Sequence, residues 1–205
     1  MTASVQRMIA ALALVALAAC GGPPPAAAPD EVSRLAAAIA ALGPDVDRDE
    51  ARRAAEISYS HTHRLALEYE ITDPPIVHNT KVNLGIKPRG LCWHWAHDME
   101  DRLAQEGFDT LDLHRAVANA DNAFQLEHST AIVSARGAAY DAGIILDPWR
   151  KGGRLTWMPL RDDNAYQWEP RNEVVARKLE REHGQIVTLT DDRRILMGGV
   201  EFVPE

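Results

Sequence analysis

The sequence predicts an α+β domain, with helices gathered at the N-terminal side and an antiparallel sheet after them. Three observations predict it. Start and stop signals bracket helical segments early in the chain. After Gly107 the pattern changes to short apolar or alternating runs broken by Gly, Asp and Pro. Helices followed by strands, rather than alternating with them, mark the α+β class. The chain has 205 residues, a quarter of them charged, enough for one domain with a real core.

Taken in order, "DEVSRLAAAIAALG" has an acidic start and a Gly43-Pro44 stop, so a short helix is expected. "DRDEARRAAEISYSHTHRLALEYEI" is a longer helix ended by Asp73-Pro74-Pro75. "VHNTKVNLGIKPRG", rich in Asn, Gly and Pro, reads as a loop. "LCWHWAHDMEDRLAQEG" is the next helix, with Gly107 as its C-terminal cap. "TLDLHRAV", "STAIVSAR", "AYDAGIILD" and "RLTWMPL" read as strands, "EVVARKLEREHG" as a last helix, and "QIVTLT" and "RRILMGG" as weak strands. There is no internal repeat.

The N-terminus speaks for export. Arg7 is the only charge in the first 29 residues, and the apolar run "MIAALALVALAAC" behind it has the length of a secretory signal core, too short to span a bilayer comfortably. It ends in Leu17-Ala18-Ala19-Cys20, then Gly21-Gly22. This resembles the lipobox of bacterial lipoproteins. The resemblance implies a leader over 1–19, cleavage before Cys20 and acylation of its thiol. With no aspartate after the cysteine, it also implies an outer-membrane anchor facing the periplasm. An ordinary signal peptide with a chance cysteine is the plain alternative. "GGPPPAAAP" then reads as a stiff, extended tether, placing the domain at 31–205.

Cleavage there removes Arg7 and no acid, moving the formal charge from -8 to -9. An acidic chain argues against nucleic acid as a partner, since phosphate binding needs clustered Lys and Arg. It also offers no polybasic support for membrane binding, leaving that to the lipid. The chain has 2 cysteines. With Cys20 given to lipid, Cys92 is a lone thiol in an oxidising compartment, which flags it as reactive or intermolecular.

At about 100° per residue, Cys92, Ala96, Met99 and Leu103 share one helix face with Trp95 beside them. His94 and His97 fall opposite, among Asp98 and Asp101, and are expected at the surface. Cys92 thus opens a core helix. A helix N-terminus offers free N–H groups and a partial positive charge, which favour a thiolate and can bind an oxyanion. Gly90 lets the chain approach closely just before that helix. A nucleophile needs a base, and the base an orienting partner. His128 opens one expected strand and Asp147 ends the next, so adjacent antiparallel strands can bring them together at one end of a sheet.

The features "GLCWHWA", "EHSTAIV" and "GIILDPWRKGGRLTW" resemble the transglutaminase-like branch of the papain-like cysteine enzymes, over roughly residues 75 to 160. The resemblance implies a papain-like fold with Cys92 as nucleophile, His128 as general base and acid, and Asp147 as the residue that orients the imidazole. It requires no cofactor. The oxyanion glutamine that papain-like peptidases often carry shortly before the cysteine is missing; Asn83 is the candidate substitute, together with the Cys92 backbone N–H. Trp93 and Trp149, with Trp157 and Trp168, are candidate walls of a substrate cleft.

Each residue has a plainer reading. Cys92 can be a small buried hydrophobe, His128 a strand-edge histidine, Asp147 the cap of an Asp-Pro turn, and the tryptophans core aromatics. A zinc site on His94 and His97 would need Asp98, Asp101, His61 or His63 to converge on a tetrahedron, and nothing in the spacing draws them together, so no metal is expected. The runs "RDD" at 161–163 and "DDRR" at 191–194 read as turns. Two functions remain. One is an envelope-anchored thiol hydrolase or acyltransferase acting on amide bonds of periplasmic proteins or peptidoglycan peptides. The other is a lipid-anchored binding module that keeps the fold without turnover.

Overall fold

Asp47 begins the longest helix, its carboxylate accepting the Glu50 N–H at 2.8 Å, a cap that satisfies one of the unpaired donors of a helix start. The computed structural model describes residues 23–183 and, by their backbone, three short strands within 188–202. The leader 1–19 and the lipidation cysteine, Cys20, lie outside the described residues. Four helices come first: α1 (Pro29–Ala40), α2 (Arg48–Glu68), α3 (Pro75–Asn83) and α4 (Cys92–Ala104). The strands β1 (Leu111–Ala118), β2 (His128–Ala135), β3 (Ile144–Asp147), β4 (Thr156–Pro159) and β5 (Trp168–Pro170) follow, then α5 (Arg171–His183). The main sheet has the order β4-β3-β2-β1-β5 with every neighbouring pair antiparallel. A separate three-stranded sheet is formed by β6 (Thr188–Asp191), β7 (Arg194–Met197) and β8 (Val200–Phe202).

The chain is therefore a mixed helical and antiparallel-sheet protein, as the sequence pattern predicts. Side chains alternate across the strands. Ala131 and Val133 of β2, with Ile144 and Leu146 of β3, join Leu35, Ile39, Met99 and Leu103 in one core between helices and sheet. Ile132 and Ile145 point the other way and pack with Ala116, Ala118 and Trp168. The α4 face expected inside is inside: Trp95, Ala96, Met99 and Leu103 are buried. Among the described residues no helix is long and apolar enough to cross a membrane.

Four expectations are revised. The segment read as a loop from 77 to 90 contains α3, made possible by Pro75 in its first turn, where a missing N–H costs nothing. The first part of "AYDAGIILD" is a 3₁₀ turn at Tyr140–Ala142, so β3 is only four residues long. Strands β5 and β8, too short for a period-2 pattern, had no signature in the sequence. The Pro-rich segment does not stand away from the body over its described part. The Pro24 carbonyl accepts from His63 Nδ1 at 3.1 Å, and the Pro24 ring lies against Gly153, where a β-carbon would come within 3.1 Å of it.

Candidate active site

Three elements bring the site together. Ala131 pairs with Leu146 across β2 and β3. Continuing that register sets Asp147, the last residue of β3, opposite Thr130, with His128 two residues further along β2. Such diagonal neighbours are within reach of long side chains. His128 Nε2–H donates to Asp147 Oδ2 at 2.7 Å, and both side chains are buried. The first residue of α4, Cys92, lies against the same sheet end. Its Sγ is 3.5 Å from the carbonyl oxygen of Glu127, the residue before His128. The remaining imidazole nitrogen, Nδ1, is buried and has no hydrogen-bond partner among the described residues. The Cys92 sulfur interacts with this imidazole.

The electrostatics follow from this geometry. Burial by itself pulls His128 down, but the hydrogen bond it donates to Asp147 and the interactions with Cys92 outweigh it and raise the imidazole to about 9. The carboxylate partner outweighs the cost of burying the charged ring. Three aromatic rings surround it, Trp149 and Tyr166 with centroids at 4.7 Å and Trp168 at 5.4 Å, a setting that suits a cation.

Asp147 has more partners than the histidine. Its Oδ1 accepts the Arg150 backbone N–H at 3.1 Å and its Oδ2 accepts Arg150 Nε–H at 2.9 Å. The other end of the guanidinium makes a two-pronged pair with Asp163, at 3.2 and 2.7 Å, and packs over the Tyr166 ring at 4.7 Å. Asp163 also accepts Trp168 Nε1–H and the Ala165 N–H. Burial raises the Asp163 carboxyl, but Arg150, Trp168 and Ala165 together hold it below the usual range. The charges alternate along this chain from His128 through Asp147 and Arg150 to Asp163, so each has an opposite neighbour. Trp168, one of the tryptophans weighed for the cleft, is buried at the end of this network, whereas Arg150, Asp163 and Tyr166 have no part in the sequence-based site. The "RDD" run was read as a turn, and its last residue is instead the buried end of this network.

Helix α4 is held just as firmly at its start. Gly90 has φ +124, and a β-carbon there would sit 2.4 Å from His78 Nε2, so only glycine fits. His78 Nε2–H donates to the Arg89 carbonyl at 2.8 Å, Trp95 Nε1–H to the Gly90 carbonyl at 3.1 Å, and Arg89 pairs with Asp98 at 2.8 Å. His94 closes the set. It was expected on the surface and is buried, because its Nδ1 accepts both the Gly90 and Leu91 N–H groups at 3.1 Å. Burial and the nearby Arg89 charge push it down to about 4.

The other sequence candidates separate. Trp93 and His97 are half-buried. Trp149 is buried beside His128, and its Nε1–H donates to Asn79 Oδ1 at 3.0 Å. Asn83 is exposed at the end of α3, whereas Asn79, one turn earlier, is buried and faces Trp149. The residues weighed for zinc do not assemble with His94. Instead His97, Glu100 and Asp101 on α4 each bring one ligand atom within 4.8 Å of the others, with Glu100 buried and the other two half-buried.

No protein family, curated protein or solved structure matches this chain.

Proposed function

We propose that this chain is a thiol enzyme on amide bonds, built on a papain-like, transglutaminase-like fold and anchored to the cell envelope through Cys20. The observation that carries this reading is His128. It is a buried imidazole 2.7 Å from Asp147 and raised to about 9 by that carboxylate and the Cys92 sulfur. An imidazolium beside a thiolate is the resting form of an activated cysteine.

In this reading the Cys92 thiolate attacks the carbonyl carbon of the amide. The oxygen takes up the negative charge, and the Cys92 backbone N–H, one of the donors a helix start leaves unpaired, stabilises it. Asn79 is the better carboxamide for the second donor than Asn83. Its Oδ1 is held by Trp149, which leaves the amide N–H groups to donate. His128 gives its proton to the leaving nitrogen, the C–N bond breaks, and a thioester remains on Cys92. His128 then removes a proton from water or from an acceptor amine, which displaces the sulfur and releases acid or new amide. Asp147 keeps Nε2 protonated throughout, so that Nδ1 is the nitrogen that exchanges protons. Substrates in this reading are periplasmic proteins or peptidoglycan peptides.

The test is alkylation of Cys92 by an iodoacetamide probe at neutral pH. The enzyme reading expects labelling faster than that of a free thiol, and loss of the excess in His128→Ala. Labelling no faster than a free thiol, unchanged in that variant, contradicts it.

One observation favours a second reading, a lipid-anchored binding module without turnover. Cys92 is only 8% exposed and His128 1%, and Trp149 packs over the imidazole. A module of this kind would bind an envelope partner with equal affinity in the wild type and Cys92→Ser, and neither protein would accumulate a thioester with activated acyl probes.

A further inference from the structure

Helix α3 is inside out. Its polar residues His78 and Asn79 are buried, while Ile76, Val77 and Leu84, with Ile86 just beyond, are 46% to 68% exposed. At about 100° per residue, Ile76, Val77, Thr80 and Leu84 fall on one side of the helix, opposite His78 and Asn79. Ile76, Val77 and Leu84 form one exposed face, with Ile86 exposed just past its end, a grouping that isolated surface apolar residues do not make.

The course of the N-terminal segment says what lies beside that face. Pro24 packs on Gly153, and a β-carbon on the adjacent Gly152 would lie 3.7 Å from the Pro75 ring, the first residue of α3. Pro23, Pro24 and Pro25 share one surface hollow with Asp73, Pro74, Lys151 and Arg154. The segment leading back to Cys20 therefore departs from the body next to the start of α3. Cys20 lies three positions before Pro23, a reach of at most about 11 Å at roughly 3.5 Å per residue. Exposed Lys151 and Arg154 flank the departure point and suit anionic lipid headgroups.

We infer that the Ile76-Val77-Leu84-Ile86 face of α3 rests in the headgroup region of the bilayer that holds the acyl chains of Cys20. This rests on the lipid-anchor reading given above. A short apolar face adds a second membrane contact to the lipid, which fixes orientation as well as distance. The inner side of the same helix carries Asn79 to Trp149, so the cysteine site lies behind the membrane-facing helix.

The experiment uses the full chain, purified from a bacterial envelope with Cys92→Ser, so that an introduced cysteine is the only free thiol. One variant adds Leu84→Cys, and a control adds Asp141→Cys at the far end of the sheet. Each is labelled with an environment-sensitive fluorophore and reconstituted into phosphatidylethanolamine–phosphatidylglycerol vesicles at one chain per vesicle. Mass spectrometry of the N-terminal peptide reports acylation independently. The inference expects acylated Cys20, a blue shift at position 84 with quenching by nitroxides placed shallow in the bilayer, and a water-like emission at position 141. An acylated chain whose position 84 stays water-like overturns the docking and leaves the anchor standing. A chain without acylation overturns the anchor, and the docking with it. A shift that appears only when several chains share a vesicle assigns the face to a second copy and overturns the bilayer contact.

Discussion

His94 and His128 are both buried imidazoles, one on the first turn of the helix that Cys92 opens and the other at the sheet end beside it. Their surroundings drive them in opposite directions. His94 meets two backbone N–H donors and the Arg89 charge, and is held neutral at about 4. His128 meets a carboxylate and a sulfur, and is raised to about 9. Burial pulls both down; the partners decide the outcome. One imidazole serves as a clip that fixes the backbone before the nucleophile, and the other is equipped to carry a proton.

The comparison can be broken from either side. The largest effect is expected from His128→Ala. If this residue is the base and acid, turnover of an activated amide or ester substrate falls about a thousandfold, within the range of general acid–base catalysis, with little loss of helix content by circular dichroism. Next is Arg150→Met, which leaves the Asp147 and Asp163 carboxylates facing each other without the cation that bridges them at 2.9 and 2.7 Å. Stripping one partner from a buried ion network costs about 3 kcal/mol, read as a lower urea midpoint. His94→Ala strands the Gly90 and Leu91 N–H groups, so a stability loss of about 2 kcal/mol is expected, while His128 titrates unchanged. The smallest is Trp149→Phe, which removes the single hydrogen bond to Asn79 and costs about 1 kcal/mol. If Asn79 donates to the oxyanion, this variant also lowers kcat more than it raises KM.

The two histidines also set opposite limbs of the pH dependence of stability. The raised His128 contributes stability that is fully present below its ordinary value of 6.5 and is lost as pH rises through about 9. The depressed His94 contributes stability that is present above 6.5 and is lost as pH falls toward about 4. Urea unfolding across this range should lose its alkaline limb in His128→Ala and its acid limb in His94→Ala.

Much of the scaffold was legible in the residues. Caps and stops marked α1, α2 and α4, and the change of period after Gly107 marked the sheet. The order of Cys92, His128 and Asp147 suggested one shared sheet end because strand ends are where loops release functional side chains. What was hidden has physical reasons. Helix α3 lies in a segment whose Asn, Gly and Pro content reads as loop, and its buried residues are the polar His78 and Asn79 rather than an apolar face. The helical wheel placed His94 opposite the apolar face, but a wheel cannot see a backbone that turns back at Gly90 to offer two N–H groups. Asp163 reads as a turn charge and Arg150 carries no role in the sequence, since nothing local tells that the chain brings them together beside Tyr166 and Trp168.

The most direct test is a nuclear magnetic resonance titration of the two imidazoles in the same sample, assigned by His94→Ala and His128→Ala. The account predicts that His128 loses its proton near pH 9 and that this midpoint falls in Cys92→Ser, while His94 stays neutral until the pH approaches 4. Both rings titrating together near 6.5, with no response of His128 to Cys92→Ser, would contradict it.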